Sequence, residues 1–163
     1  MPLCNPADLL SSLKPRSSLL GLDVGRKTLG IAIADESLVL ASPLVSLVRT
    51  KLTADLAQLR RIIDERSVGG IVLGLPINMD GTEGPMARYV RQFAGVLDRA
   101  FPSLPIALWD ERLSTAAVTR TLLEADLSRR QRQKVVDRAA AAYILQGVLD
   151  FLRMQPRSPA RRN

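Results

Sequence analysis

Two apolar runs separated by a few polar residues fix the topology of the first third of this chain. Leu19-Leu20-Gly21-Leu22 ends at Asp23, and the alternating stretch from Leu29 to Ala34 begins just after Gly25-Arg26-Lys27. Strands joined this tightly pair antiparallel, because a parallel crossover needs a dozen residues or more. Asp35-Glu36-Ser37 then reads as a turn into a third strand, Leu38 to Val48, kinked at Pro43. Thr53 can cap a helix whose Leu56, Leu59, Ile62 and Ile63 recur at helical spacing, with Gly69-Gly70 as its stop. Ile71 to Gly74 is a short apolar run of the kind buried on both faces of a sheet. A helix follows from Gly84-Pro85 with Met86, Val90, Phe93 and Leu97 on one stripe, and Pro102 and Pro105 bracket the way to a strand, Ile106 to Trp109. Ser114 or Thr115 can cap another helix through Glu124. The last helix, about Lys134 to Arg153, carries alanines at 139 to 142 that let it lie close to a sheet. The expected fold class is α/β: a mixed five-stranded sheet, three antiparallel strands then two parallel, with helices on both faces.

With 163 residues the chain is sized for one domain. Prolines 2, 6 and 15 mark residues 1–17 as a flexible lead-in, the domain proper spans 18–154, and 155–163 reads as a basic disordered tail. There is no histidine, which removes histidine triads, imidazole proton shuttles and His-ligated zinc together. A single cysteine, Cys4, builds neither a disulfide framework nor a thiolate metal site and fits a cytoplasmic setting. The longest uncharged apolar stretch, Ser37 to Val48, is too short to span a membrane, and the start lacks a signal-peptide layout. The formal charge is +7, of which the tail from Arg153 contributes four and the first 18 residues one, so the fold itself is nearly balanced. Arg129, Arg130, Arg132 and Lys134 form a local cluster that serves equally as a phosphate contact or as a solvated helix lead-in.

Acid/base chemistry without histidine falls to carboxylates, amines or metal-bound water. Asp23, Asp110-Glu111 and Asp137 each lie at the end of an expected element, where open α/β sheets place their ligands. If the first and last strands are neighbours, three carboxylates from distant parts of the chain converge. Oxygen-only donors select a hard ion, Mg2+ or Mn2+, which would supply an acidic water and a clamp on a leaving oxygen. Strand alternation sends Asp110 and Glu111 to opposite sides, so one of them faces the metal and the other pairs with Arg112 or caps a helix. The turn residues Gly25 and Lys27, beside Asp23, and Arg112, after the acid pair, are expected to contact the substrate. The long loop after Gly74 offers Asn78, Gly81 and Thr82 to a substrate oxygen, close to a helix amino terminus that attracts phosphate. Each piece has a plain alternative: an acid after a strand as a cap, Asp80-Gly81 as a turn, Trp109 as core. The D-x-G pattern at Asp23 also heads the phosphate turn of actin-like ATPases and sugar kinases, but those enzymes need two such domains.

Four ordered motifs, GLDVGRKTLGIAIAD at 21–35, GLPINMDGTEGPMA at 74–87, WDERLST at 109–115 and VDRAAAAYILQ at 136–146, resemble the YqgF family, also called RuvX-like. Its members are labelled Holliday junction resolvase or ribosomal RNA precursor nuclease. The resemblance implies a ribonuclease H-like fold, with Asp23, Glu111 and Asp137 as a catalytic triad holding Mg2+ or Mn2+. It places Asn78 and the loop glycines beside the substrate. Arg26 and Thr28 depart from the small residue and arginine more usual there. It also implies a phosphodiester hydrolase acting on the 5′ end of the 16S ribosomal RNA precursor, or on branched DNA. A non-catalytic RNA-binding assembly factor is the reading from another class. Structured RNA is the expected partner and no membrane is expected; a junction enzyme would need a homodimer, whereas a monomer suits RNA trimming.

Overall fold

In the computed structural model the described residues are 3–113 and 129–155, and for 129–137 the backbone alone. The first hairpin joins β1 (Ser18–Val24) to β2 (Thr28–Ala34), and β2 continues antiparallel into β3 (Ala41–Val48). A helix, α2 (Leu52–Glu65), crosses to β4 (Val68–Leu75), which lies parallel to β1. Then α3 (Pro85–Ala100) crosses to β5 (Ile106–Asp110), parallel to β4. The spatial order is β3-β2-β1-β4-β5, the expected mixed sheet. A long helix, α4 (Arg129–Met154), closes the described chain. The expected helix from Ser114 to Glu124 and the tail beyond 155 lie outside the described residues. Among the described residues no helix is long and apolar enough to cross a membrane.

Both faces of the sheet are covered. Leu20, Leu22, Ile71 and Leu73 point to one side, where Leu59 and Ile63 of α2 and Val90, Phe93 and Leu97 of α3 pack on them. The alternate residues Leu19, Ala32, Val72 and Ala107 meet Ala141, Ile144, Leu145 and Val148 of α4. The alanine run works as expected: a Cβ on Gly21 would stand 2.7 Å from the Leu145 Cβ, so the helix lies directly on β1. Trp109 is core, tilted against Phe151 at 5.5 Å between ring centroids.

Several boundaries differ from the sequence reading. β3 begins at Ala41 rather than Leu38, because Leu38 closes a turn on the Asp35 carbonyl with φ of 54° and Gln146 and Arg153 bind the Val39 carbonyl. The Pro43 kink is present as a register shift opposite Ile31 and Ala32, on the edge strand where proline is tolerated. Gly69 and Gly70 do not stop α2 but lie inside β4; the helix ends earlier, with Ser67 left-handed at φ of 51°. Thr53 is not a cap, since α2 starts one residue before it. In the expected lead-in, the described residues 3–17 form short elements that touch the sheet at Cys4, Leu9 and Leu13. Pro6 opens a single 3-10 turn after Asn5, whose side chain accepts from the Ala7 N–H at 3.1 Å, and α1 (Leu9–Ser12) follows. Leu9 is fully buried, Leu13 lies over Gly70, and the Cys4 N–H donates to the Ile106 carbonyl at 2.8 Å, covering the outer edge of β5. Pro6 starts structure here rather than preventing it.

Candidate active site

β1 ends where the hairpin turns, and Asp23 is the last residue of β1 on the α4 face, two beyond Gly21. The parallel partner of β1 is β4, not β5, so the first and last strands are not neighbours as the convergence of acids had supposed. What preserves the convergence is Gly74. Gly74 lies one step past the Leu22–Leu73 pair, beside Asp23, and pairs on its other side with Trp109. A Cβ there would be 2.6 Å from Glu111 Oε1 and 2.5 Å from Ile144 Cδ1. The Glu111 carboxylate therefore occupies the space the missing side chain leaves, and Asp23 and Glu111 stand on either side of one glycine at the carboxyl ends of the parallel strands.

The two acids at the end of β5 point different ways. Trp109 faces α4, Asp110 points the other way, and Glu111 enters a 3-10 turn (Glu111–Leu113) that swings it back over Gly74. Asp110 is committed to Arg112, whose Nη2 donates at 2.8 Å and Nε at 3.1 Å to its carboxylate, and this holds the Asp110 carboxyl below its ordinary value. Arg112 Nη1 also reaches the Asn78 carbonyl at 3.4 Å, tying the β5 end to the loop after β4. Asp137 lies in α4 one turn before Ala141, whose carbonyl oxygen would be 3.1 Å from a Gly21 Cβ; its side chain is outside the described residues. Among the described residues no three Asp, Glu, Cys or His cluster within reach of one metal ion. Two members of the expected triad are brought to one place, and the donor set there is oxygen alone, which suits a hard divalent cation.

The loop from Pro76 to Gly84 is held by its own bonds. Asn78 donates to Thr82 twice, from its N–H to the carbonyl at 2.9 Å and from its side-chain amide to the hydroxyl at 3.0 Å, and the Asp80 carboxylate accepts from the Thr82 N–H and hydroxyl at 3.0 and 2.6 Å. Those bonds hold the Asp80 carboxyl low. Gly81 takes φ of 88°, which glycine adopts without strain. Asn78, Gly81 and Thr82 are all exposed and share the end of the sheet that carries Asp23. In the hairpin turn the Gly25 N–H donates to the Thr28 carbonyl at 2.9 Å, and Lys27 is exposed.

Sequence reasoning missed the group that braces this turn. Arg49, 12% exposed, donates from Nε to Asp55 at 3.0 Å and from Nη1 to the Gly25 carbonyl at 2.9 Å and the Tyr89 hydroxyl at 3.0 Å. Asp55 is 3% exposed; burial pushes its carboxyl up, but bonds from Arg49 and from the Thr50 N–H and hydroxyl together bring it below its ordinary value. The available signal was Asp55 itself, an acid at helical spacing with Leu59 and Ile63 on the buried stripe.

Sheet order, helix placement and an acidic strand end define a ribonuclease H-like domain. The fold is shared with Thermus thermophilus RuvC, solved in complex with a Holliday junction substrate, at a TM-score of 0.50 and 14% identity over 83% of this chain and 96% of that one. The profile of the family described as RuvX, Holliday junction resolvase, matches residues 17–151, and the chain belongs to that family. A relative from Paramagnetospirillum magneticum is 57% identical over 92% of this chain and 96% of its own length. Another, from Roseobacter denitrificans, is 52% identical over 94% and 95%. Both carry the name "Putative pre-16S rRNA nuclease".

Proposed function

We propose that this protein is a divalent-metal-dependent nuclease that hydrolyses phosphodiester bonds at the 5′ end of the 16S ribosomal RNA precursor, a cytoplasmic step of ribosome biogenesis. The observation that carries the reading is the meeting of Asp23 and Glu111 across the side-chain-free Gly74. Family membership and the names of the close relatives support the substrate.

Asp23, Glu111 and, from α4, Asp137 would hold Mg2+ or Mn2+. A bound ion of this kind supplies charge neutralisation at the phosphate and an acidified water. The chain's own part is positioning. Gly74 lets the Glu111 carboxylate sit within the sheet edge. Gly25 lets the turn close on Thr28, whose carbonyl would be 2.9 Å from a Cβ there, and the turn presents Lys27 to the phosphate backbone. Arg112, fixed by Asp110, holds the Asn78 loop in place, and exposed Asn78, Thr82 and the Gly81 backbone offer donors and acceptors to the RNA sugar and phosphate.

The test is cleavage of a labelled ribosomal RNA precursor fragment and of a four-way DNA junction, in Mg2+ or Mn2+, by wild type and Asp23→Asn. Metal-dependent cutting of the RNA by wild type alone is expected. Cutting of the junction alone would move the substrate to branched DNA. If neither is cut and no divalent ion binds, the nuclease reading falls and a non-catalytic RNA-binding role replaces it.

A further inference from the structure

A site built from carboxylates repels the polyanion it must receive, so cations near it have to offset that charge within a screening length of about 8 to 10 Å. The hairpin that ends at Asp23 carries one cation in an unusual setting. The Arg26 guanidinium lies over the ring of Tyr89, 4.7 Å from its centroid. Among the described residues no carboxylate pairs with it, and the residue is exposed. Everything beneath it is fixed. One nitrogen of Arg49 donates both to the Tyr89 hydroxyl and to the Gly25 carbonyl, just before Arg26, and the Arg49 N–H donates to the Lys27 carbonyl, just after it, at 2.8 Å. Arg49 is held in turn by Asp55 and stacks on Phe93 at 4.8 Å. Turn, ring and cation thus form one braced unit spanning β1, β2, α2 and α3.

We propose that Arg26, held on Tyr89 and braced by Arg49, is a phosphate-contacting residue that seats a single-stranded RNA segment where it leaves the acidic site, with Arg49 as its positioning residue. The proposal rests on the nuclease reading above. Asp23 faces the α4 side of the sheet end and Arg26 the α3 side, three residues further on. A strand lying between Asp23 and Glu111 that continues over the turn passes the open side of this guanidinium. A guanidinium matches a phosphate with two parallel donors, and resting it on a fixed ring reduces the ordering cost of binding.

The experiment is equilibrium binding of a fluorescent 12-nucleotide single-stranded RNA in EDTA, across a KCl series. It compares wild type, Arg26→Ala, Arg26→Lys, Tyr89→Leu and Arg60→Ala. Arg60 is the control, because it stacks on Phe101 at 4.9 Å in the same manner but bonds to the Ala100 carbonyl at the far end of α3. Arg26→Ala is expected to weaken binding about ten-fold and to lower the salt slope by about 0.7, one phosphate contact on a single strand. Arg26→Lys keeps the slope, and Tyr89→Leu weakens binding with the slope kept. Arg60→Ala changes neither. An unchanged slope in Arg26→Ala, or equal losses in Arg26→Ala and Arg60→Ala, would overturn the proposal while leaving a cleaving wild type as a nuclease. A wild type that binds no RNA in EDTA would overturn the proposal too, while the nuclease reading falls only by the cleavage and metal-binding test above.

Discussion

Replacing Gly74 with alanine adds one methyl group where the structure leaves no room for it. The new Cβ would stand 2.5 Å from Ile144 Cδ1 and 2.6 Å from Glu111 Oε1, against an ordinary contact of at least 3.4 Å. Something must retreat by most of an ångström. Ile144 is fully buried between α4 and the sheet and has little freedom, whereas Glu111 lies at the sheet's end and can swing outward. Overpacking of this kind costs about 2 kcal/mol, which for a domain of this size lowers Tm by about 6 °C. The larger effect falls on the site, because a catalytic group displaced by about 1 Å can lose about 100-fold in rate. Gly21→Ala provides the contrast. Its Cβ would meet the Leu145 Cβ at 2.7 Å and the Ala141 carbonyl at 3.1 Å, parts of α4 that cannot move without the helix, so its cost is mainly stability, about 3 kcal/mol. Thermal unfolding and metal-dependent RNA cleavage measured on both variants separate the two cases. Wild-type cleavage by Gly74→Ala, at a temperature where it is folded, would refute the view that Glu111 works from the space above this glycine.

Asp55→Asn should lose about 3 kcal/mol at pH 7, because Arg49 is left buried without its counter-charge. The Asp55 carboxyl is held low in the fold, so its stabilisation is complete above the unfolded value and fades as pH falls through the folded one. The gap between wild type and variant in urea unfolding should therefore narrow below about pH 4; a gap constant from pH 7 to 3 would contradict the assignment. Titration calorimetry with Mn2+ should show Glu111→Gln weakened at least about ten-fold, a loss seen even for residues behind metal ligands. Asp110→Asn should match wild type, since its carboxylate belongs to Arg112. Gly81→Ala should cost about 1 kcal/mol in unfolding experiments from the left-handed backbone alone, as open space surrounds that position.

The parts of the fold that were legible in the sequence are those whose signal is periodic and local. Alternation through β2, the apolar heart of β4 and the stripe on α3 each follow from which face a side chain must bury, and each is present. Alternation also separated Asp110 from Glu111, although the 3-10 turn that returns Glu111 to the α4 face had to be seen. Where the reading failed, a distant segment had decided the matter. Gly69-Gly70 has the composition of a helix stop but is strand, because Ser17 and Leu13 of the amino-terminal segment lie where side chains would go. Arg49 and Asp55 escaped because a bond from β3 to α2 and α3 leaves only a charged residue on an apolar stripe as its trace. Gly74 was read as the last residue of a buried strand, and its role depended on a fact no local pattern holds: that β4 lies between the two acids. With the strand order known, a side chain at that position would wall Asp23 off from Glu111, so the glycine lets two separate strand ends form one candidate site.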